Sequence, residues 1–536
     1  MRRALALVLV LAGCASSPTL AEEDLSITKV EPGKEDSSAE AVFLLFTFDG
    51  ELVTGSSWNL ERQIENQLLY TIGHLNGDRA VGRLDKVELS NVTSESVEGG
   101  TRVLYTATLP VAWGRREAIP SNYTFQLPRD MRYDALDRFA ETYGHSCVDW
   151  GAHDVDSGSM WYYYRPERSG CRLADQDVVE FVADIAPSPS QTTGRFPEYD
   201  EVWRDGVFQV TAVFGKYEDG ATTSADAGIS AYGRFVEELA RTLQPHSLVM
   251  TPEVSGRPGV DHPEIRFEAT LDAGHRVDIV AILVDNVRTA GADFDRRYAE
   301  LSTHSDLITY NGHAGLGSNI RALAQKGSWV AGQYAIVFMN GCDTYAYVDS
   351  ALWDAHAAVN PDDPEGTKYL DLISNALPSY FRSMPRATLA LVNGLMDWEN
   401  PTTYEQIFAD IDSSQVVLVS GEHDNDYTPG GGGEEPPPSW GGLSESGAVA
   451  RGEQVRFSTP TLAAGHYVFE MTGQGDADLY VRIGAEPTKS HYDCRPYRAN
   501  SNERCQIELA ADAPVHVMVD GWSAAEFSLT GARREF

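Results

Sequence analysis

Positive charge is scarce in this sequence: 42 lysine and arginine residues stand against 79 aspartate and glutamate, a formal net charge of -37. That deficit excludes nucleic acid and anionic membrane surfaces as partners, because both are bound through stripes of Lys and Arg. No such stripe occurs. Beyond the first residues the chain has no apolar run long enough to span a bilayer. Three common catalytic signatures are missing as well. There is no His-Glu-x-x-His for zinc, no Gly-x-Ser-x-Gly nucleophile elbow and no Gly-x-x-x-x-Gly-Lys-Ser/Thr phosphate loop. Cysteine is sparse, with 6 in 536 residues. A content of 42% hydrophobic and 23% charged residues excludes a disordered chain, and the length suits roughly two to four domains with real cores.

The N-terminus supplies the first positive signal. Arg2 and Arg3, an apolar run from Ala4 to Leu11, and Leu11-Ala12-Gly13-Cys14 resemble a bacterial lipoprotein signal peptide over residues 1–20. That resemblance implies lipidation of Cys14 after cleavage and an exported cell-envelope protein, on the outer membrane or cell surface or released from it. The lipid would be the membrane attachment. Residues 21–40, acidic and rich in serine, read as a flexible tether. In an oxidising compartment Cys494 and Cys505 can close a short loop, and Cys147 and Cys171 flank another segment that a bridge would stabilise. Cys342 is left without a partner.

Composition shifts divide the rest. Residues 41–190 mix strand-like runs (Val42 to Phe48, Val103 to Trp113, Tyr123 to Leu127) with helical stretches (Leu60 to Tyr70, Tyr133 to Tyr143), which predicts an α+β domain of unassigned role. Across residues 196–427 strands and helices alternate: strands at Val207 to Phe214, Val277 to Val284 and Thr388 to Val392, helices at Ala225 to Leu243, Thr367 to Leu377 and Thr403 to Ile411. Such alternation predicts a mostly parallel sheet in a three-layer α/β sandwich. Residues 428–443 are a Gly/Pro linker that cannot bury a core. Short, closely spaced strands over residues 444–536 predict an all-β sandwich.

The candidate site lies at the ends of two apolar runs in the α/β segment. One run ends Tyr310-Asn311-Gly312-His313-Ala314-Gly315, and the next ends Phe338-Met339-Asn340-Gly341-Cys342-Asp343. A thiol and an imidazole at the carboxyl edge of a parallel sheet suit a nucleophile and its proton shuttle. An inert buried cysteine is the other reading of Cys342. These blocks resemble the caspase-like cysteine peptidase clan that includes gingipains, legumains and separases. The resemblance implies Cys342 as nucleophile and His313 as general acid and base, with Gly312, Ala314 and Gly341 shaping the turns and the oxyanion site. Here Ala314 stands where the family usually has glycine. Asp343, Asp371 and Asp397 are candidate acidic groups for a specificity pocket.

Gly475-Asp476-Ala477-Asp478-Leu479-Tyr480, with Tyr492 to Tyr497 and Cys505, resembles the bacterial pre-peptidase C-terminal domain, which accompanies secreted peptidases of several catalytic types. Asp476 and Asp478 suit either Ca²⁺ binding or turn stabilisation. The mechanism needs no cofactor, and no set of metal ligands with a recognisable spacing occurs. The sequence thus points to a lipid-anchored cysteine endopeptidase acting on protein or peptide, with a C-terminal domain suited to a surface polymer. The alternative is a non-catalytic surface lipoprotein with a degenerate caspase-like domain.

Overall fold

The computed structural model describes residues 35–152, 155–271, 274–421, 425, 427–429, 442–462, 465–509 and 513–534. The lipobox with Cys14 and most of the Gly/Pro linker lie outside the described residues. Two compact units divide at Thr428 and Pro429.

The first unit is organised by a nine-stranded sheet in the order Glu35–Ser38, Val417–Gly421, Leu370–Asn375, Ala335–Asn340, Leu307–Asn311, Val207–Gly215, Arg276–Val284, Glu264–Thr270, Val249–Thr251. The five strands from Leu370–Asn375 to Arg276–Val284 run parallel, and the remaining neighbours pair antiparallel. Parallel strands of this kind are buried on both faces, so they read as unbroken apolar runs. Alternate residues confirm it: Ile308, Tyr310, Val337 and Met339 enter one core, Leu307, Ile336 and Phe338 the other. Helices Ala227–Leu243, Met384–Met396 and Tyr404–Ala409 cover the second face.

Helices Ala292–Ser302, Ser318–Lys326 and Ala351–Ala357 cover the opposite face, and the 41–190 segment packs against Tyr345, Tyr347 and Trp353 beside them. Its six-stranded sheet (Ala80–Gly82, Glu88–Val97, Gly100–Trp113, Val42–Thr54, Val178–Pro187, Asn122–Pro128) and its helices Leu60–Asn76 and Tyr133–Tyr143 share one continuous core with the large sheet. Residues 41–190 and 196–427 therefore belong to one compact body. Cys147 and Cys171 are disulfide-bonded, and the Trp161–Tyr164 run forms a buried helical turn, Met160–Tyr163, with the residue after it.

Three expectations are corrected. Residues 21–40 are not all tether: Glu35–Ser38 is the outermost strand of the large sheet, with Asp36, Ser37 and Ser38 buried. The helix expected over Thr367 to Leu377 is the strand Leu370–Asn375, fully buried between two neighbours. Conversely, Thr388 to Val392 lies inside the helix Met384–Met396, which begins with Pro385 in its first turn, a position where proline costs no hydrogen bond.

The second unit packs a four-stranded antiparallel sheet (Leu443–Val449, Ala525–Arg534, Gly465–Gln474, Glu503–Leu509) on a three-stranded one (Gln454–Leu462, Ala513–Gly521, Ala477–Ile483). Residues 484–502 fold over the outer face of the smaller sheet. They are held by the Cys494–Cys505 disulfide and by ion pairs from Arg495 to Asp478 (2.9 Å) and Lys489 to Asp520 (2.8 Å). Among the described residues no helix is long and apolar enough to cross a membrane.

Candidate functional site

The carboxyl edge of the parallel strands is built on amides. Strands Leu307–Asn311, Ala335–Asn340 and Leu370–Asn375 each end in asparagine. Asn340 Nδ2 donates to Asn311 Oδ1 (2.9 Å), while Asn340 Oδ1 accepts from Asn375 Nδ2 (3.0 Å), Ser379 Oγ (2.9 Å) and Gln415 Nε2 (2.9 Å). Thr388 Oγ1 adds a bond to Asn311 Oδ1 (2.8 Å). This buried network fixes the ends of three strands at once. Sequence reasoning passed over these residues, although the repeated apolar-run-then-Asn pattern was visible.

On this platform the two turns meet. The Gly312 N-H donates to the Asn340 carbonyl (3.2 Å). A side chain at Gly341 would lie 2.9 Å from the Gly312 carbonyl and 3.2 Å from the Ala314 nitrogen, so only glycine permits this approach. Ala314 sits in ordinary right-handed helical conformation, and the left-handed positions fall on Gly315 (φ 59) and Leu316 (φ 52). The alanine therefore places no strain on the turn.

The imidazole of His313 packs between Tyr217 and Phe381, with ring centroids 5.2 Å away in each case. Its Nε2 lies 3.0 Å from the Tyr217 carbonyl. Cys342 is 6% exposed, unbridged, and its thiol donates to the Ser379 carbonyl at 3.5 Å. A reactive thiol is a partly exposed thiolate in an electropositive setting; this one is enclosed and turned toward a carbonyl.

The acidic candidates do not converge. Asp343 is buried in left-handed conformation (φ 51) directly after the thiol. Asp371 pairs in register with Ile336, toward the amino half of the sheet, and accepts from Tyr334 (2.7 Å) and Tyr404 hydroxyls; desolvation raises its pKa. Asp397 is exposed beyond the helix Met384–Met396. In the second unit Asp478 is committed to Arg495, while Asp476 Oδ1 is buried without a partner. Among the described residues no group of three or more His, Cys, Asp and Glu side chains could hold a metal ion.

Beside Tyr217 a pocket of about 410 Å³ opens at the same sheet edge, floored by Val260, Leu283 and Phe294 and rimmed by Lys216, Asp219 and Asp285. Lys216 and Asp285 neutralise each other at 2.6 Å. Asp219 has no ion pair among the described residues and leaves the rim with a net negative charge. The loop above is held by Asp226, which accepts from the N-H groups of Tyr217 (3.1 Å) and Glu218 (2.9 Å) and caps the helix Ala227–Leu243 through Gly228 and Ile229.

No family model matches the sequence. A zinc metalloprotease of Helicobacter pylori is 41% identical over 83 residues, 15% of this chain and 31% of that protein. A virulence metalloprotease of Vibrio anguillarum is 51% identical over 51 residues, 10% of this chain and 8% of that protein. An alkaline serine exoprotease A of Vibrio alginolyticus is 37% identical over 84 residues, 15% of this chain and 16% of that protein. The chain thus spans less than a third of the length of each of these relatives. The solution structure named vEP C-ter 100 aligns at 33% identity over 17% of this chain and 87% of that one, with a TM-score of 0.15, which defines no fold relationship.

These relatives overturn the cysteine-peptidase reading and the caspase-like family assignment. They are named metalloproteases and a serine protease, which points away from a thiol mechanism. The structure brings the His313 and Cys342 turns together at one sheet edge, and no role is assigned to either side chain.

Proposed function

We propose that this chain is an exported protease that acts on protein or peptide substrates and carries its C-terminal sandwich as a segment shared with other proteases. The observation that carries this reading is the local identity with proteases, 41% over 83 residues in the Helicobacter protein. That length suits the second unit, Pro429–Phe536. Because the relatives' names span zinc and serine chemistry, the shared segment accompanies catalysis rather than performing it, and the reaction belongs to the first unit.

Open α/β sheets place ligands at the carboxyl ends of their strands. The pocket beside Tyr217 lies there, with an apolar floor for a side-chain stem and the Asp219 carboxylate for a cationic head. A substrate chain bearing Lys or Arg fits it. Two disulfides support passage through an oxidising compartment, and the N-terminal pattern supplies the export signal with Cys14 as the point of lipid attachment.

Release of labelled peptides from casein by the purified chain, with and without added divalent cations, tests the reading. Turnover is the expected result. Saturable casein binding with no peptide released under either condition would overturn it.

A further inference from the structure

The geometry points to a peptide-binding groove at the edge of the nine-stranded sheet, filled by the chain's own Glu35–Ser38 and able to accept an extended, aspartate-bearing peptide in its place. This goes beyond the proposed protease activity and involves a different edge of the molecule.

The strand is gripped as a ligand is gripped. On one side it pairs with Val417–Gly421, in the register Asp36 to Ser420 and Ser38 to Leu418. On the other, the Asp36 N-H donates to the Ser190 carbonyl (2.7 Å), and the Asp36 carbonyl accepts from the Thr192 N-H (2.9 Å). Main-chain pairing thus holds four residues along one edge and Asp36 along both, the mode by which sheets accept extended peptides.

Side-chain recognition is polar and specific. Asp36 Oδ1 accepts from Ser420 Oγ (2.7 Å), its Oδ2 accepts from Ser190 Oγ (3.2 Å), and Arg83 Nη1 lies 3.9 Å away. Ser37 Oγ donates to Glu405 Oε1 (2.6 Å), and Ser38 Oγ donates to the Val417 carbonyl (2.7 Å). Glu405 Oε1 accepts from the Gly194 N-H as well (2.9 Å), so the carboxylate is fixed where it meets a donor at the position of Ser37.

Two features make the strand exchangeable. It contributes no large apolar side chain, so its departure opens no hydrophobic void. Arg83, the charge that would be stranded, keeps its own carboxylate: Asp85 accepts from Nε at 2.9 Å and from Nη2 at 3.0 Å. What departure does expose is the apolar edge Val417-Leu418-Val419, and an uncovered edge of that kind recruits another strand.

The test uses the full chain with a site-specific protease sequence inserted between Ala39 and Glu40 and cut after folding. A fluorescent peptide of residues 33–40 is added and its anisotropy followed. The nicked chain is expected to take up the peptide saturably while the uncut chain does not, and a peptide with Asp36→Ala is expected to bind at least about tenfold more weakly. Loss of near-UV circular dichroism on cutting would make the strand part of the core and overturn the proposal. So would a folded nicked chain that takes up no peptide, or one that binds the Asp36→Ala peptide equally well.

Discussion

Asp219 offers the sharpest residue-scale trial of the substrate class. Its carboxylate is the unneutralised charge on a pocket rim where Lys216 and Asp285 cancel. Asp219→Asn should lower kcat/KM for peptides carrying Lys or Arg by about tenfold and leave peptides with apolar side chains unchanged. Paired peptide substrates in one assay would separate the two. A second residue-scale outcome concerns acid. Burial lowers the pKa of His74 to about 3 and of His356 to about 4, both from 6.5. Each is therefore neutral when folded, and its contribution is whole above pH 6.5 and lost as pH falls toward the folded values. The slope is roughly 1.4 kcal/mol per pH unit for each group. Glu167, raised to about 7 by desolvation, slopes the opposite way between pH 4.5 and 7, damped by a side chain 53% exposed. His356 has both ring nitrogens buried without partners, so His356→Leu should flatten the fall in Tm between pH 6.5 and 4. An unchanged pH profile would count against it.

At the scale of elements, the asparagine-ended strands stand or fall together. Asn340→Ala would leave one hydrogen of the Asn375 amide and the hydroxyl of Ser379 short of an acceptor. The expected loss is about 3 kcal/mol or more in urea unfolding, larger than a surface change gives. Asp226→Ala should cost about 2 kcal/mol, since one carboxylate caps a helix and also holds the Tyr217 loop. The same scale shows how much of the fold could be read from sequence. Runs such as Val207 to Phe214 and Val277 to Val284 were legible because residues buried on both faces are apolar throughout. Leu370–Asn375 was not: Leu370, Leu372, Ile373 and Leu377 satisfy helical spacing as readily as a short buried strand, and tertiary pairing decides. Thr388 to Val392 misleads in the opposite sense, because a helix packed into a core can be apolar over four consecutive residues, here Leu389 to Val392. Glu35–Ser38 was hidden because nothing in Glu-Asp-Ser-Ser is apolar; its place is set by hydrogen bonds to residues far away in sequence. Of the site, the meeting of the His313 and Cys342 turns was legible from two apolar runs. Burial of the thiol was one of two open readings, since it depends on Ser379, 37 residues further along the chain.

For the whole molecule, the division at Thr428 and Pro429 and the separate cores of the two units predict two calorimetric transitions. Among the described residues each unit contains one disulfide. Reduction should lower both transitions, by about 3 kcal/mol where the bridge joins residues 24 apart in sequence. A single transition unaffected by reductant would contradict that arrangement. The outer face of the smaller C-terminal sheet carries a further consequence. Asp478 and Asp520 are directly opposed across neighbouring strands, a like-charge pair that resists pairing. Arg495 and Lys489, which neutralise them, both arrive on the 484–502 segment. The strands Ala477–Ile483 and Ala513–Gly521 therefore gain their full stability only once the covering segment has docked. In refolding, closure of this segment should coincide with sheet formation rather than follow it, and added salt should hasten that step by screening the two aspartates before their cations arrive.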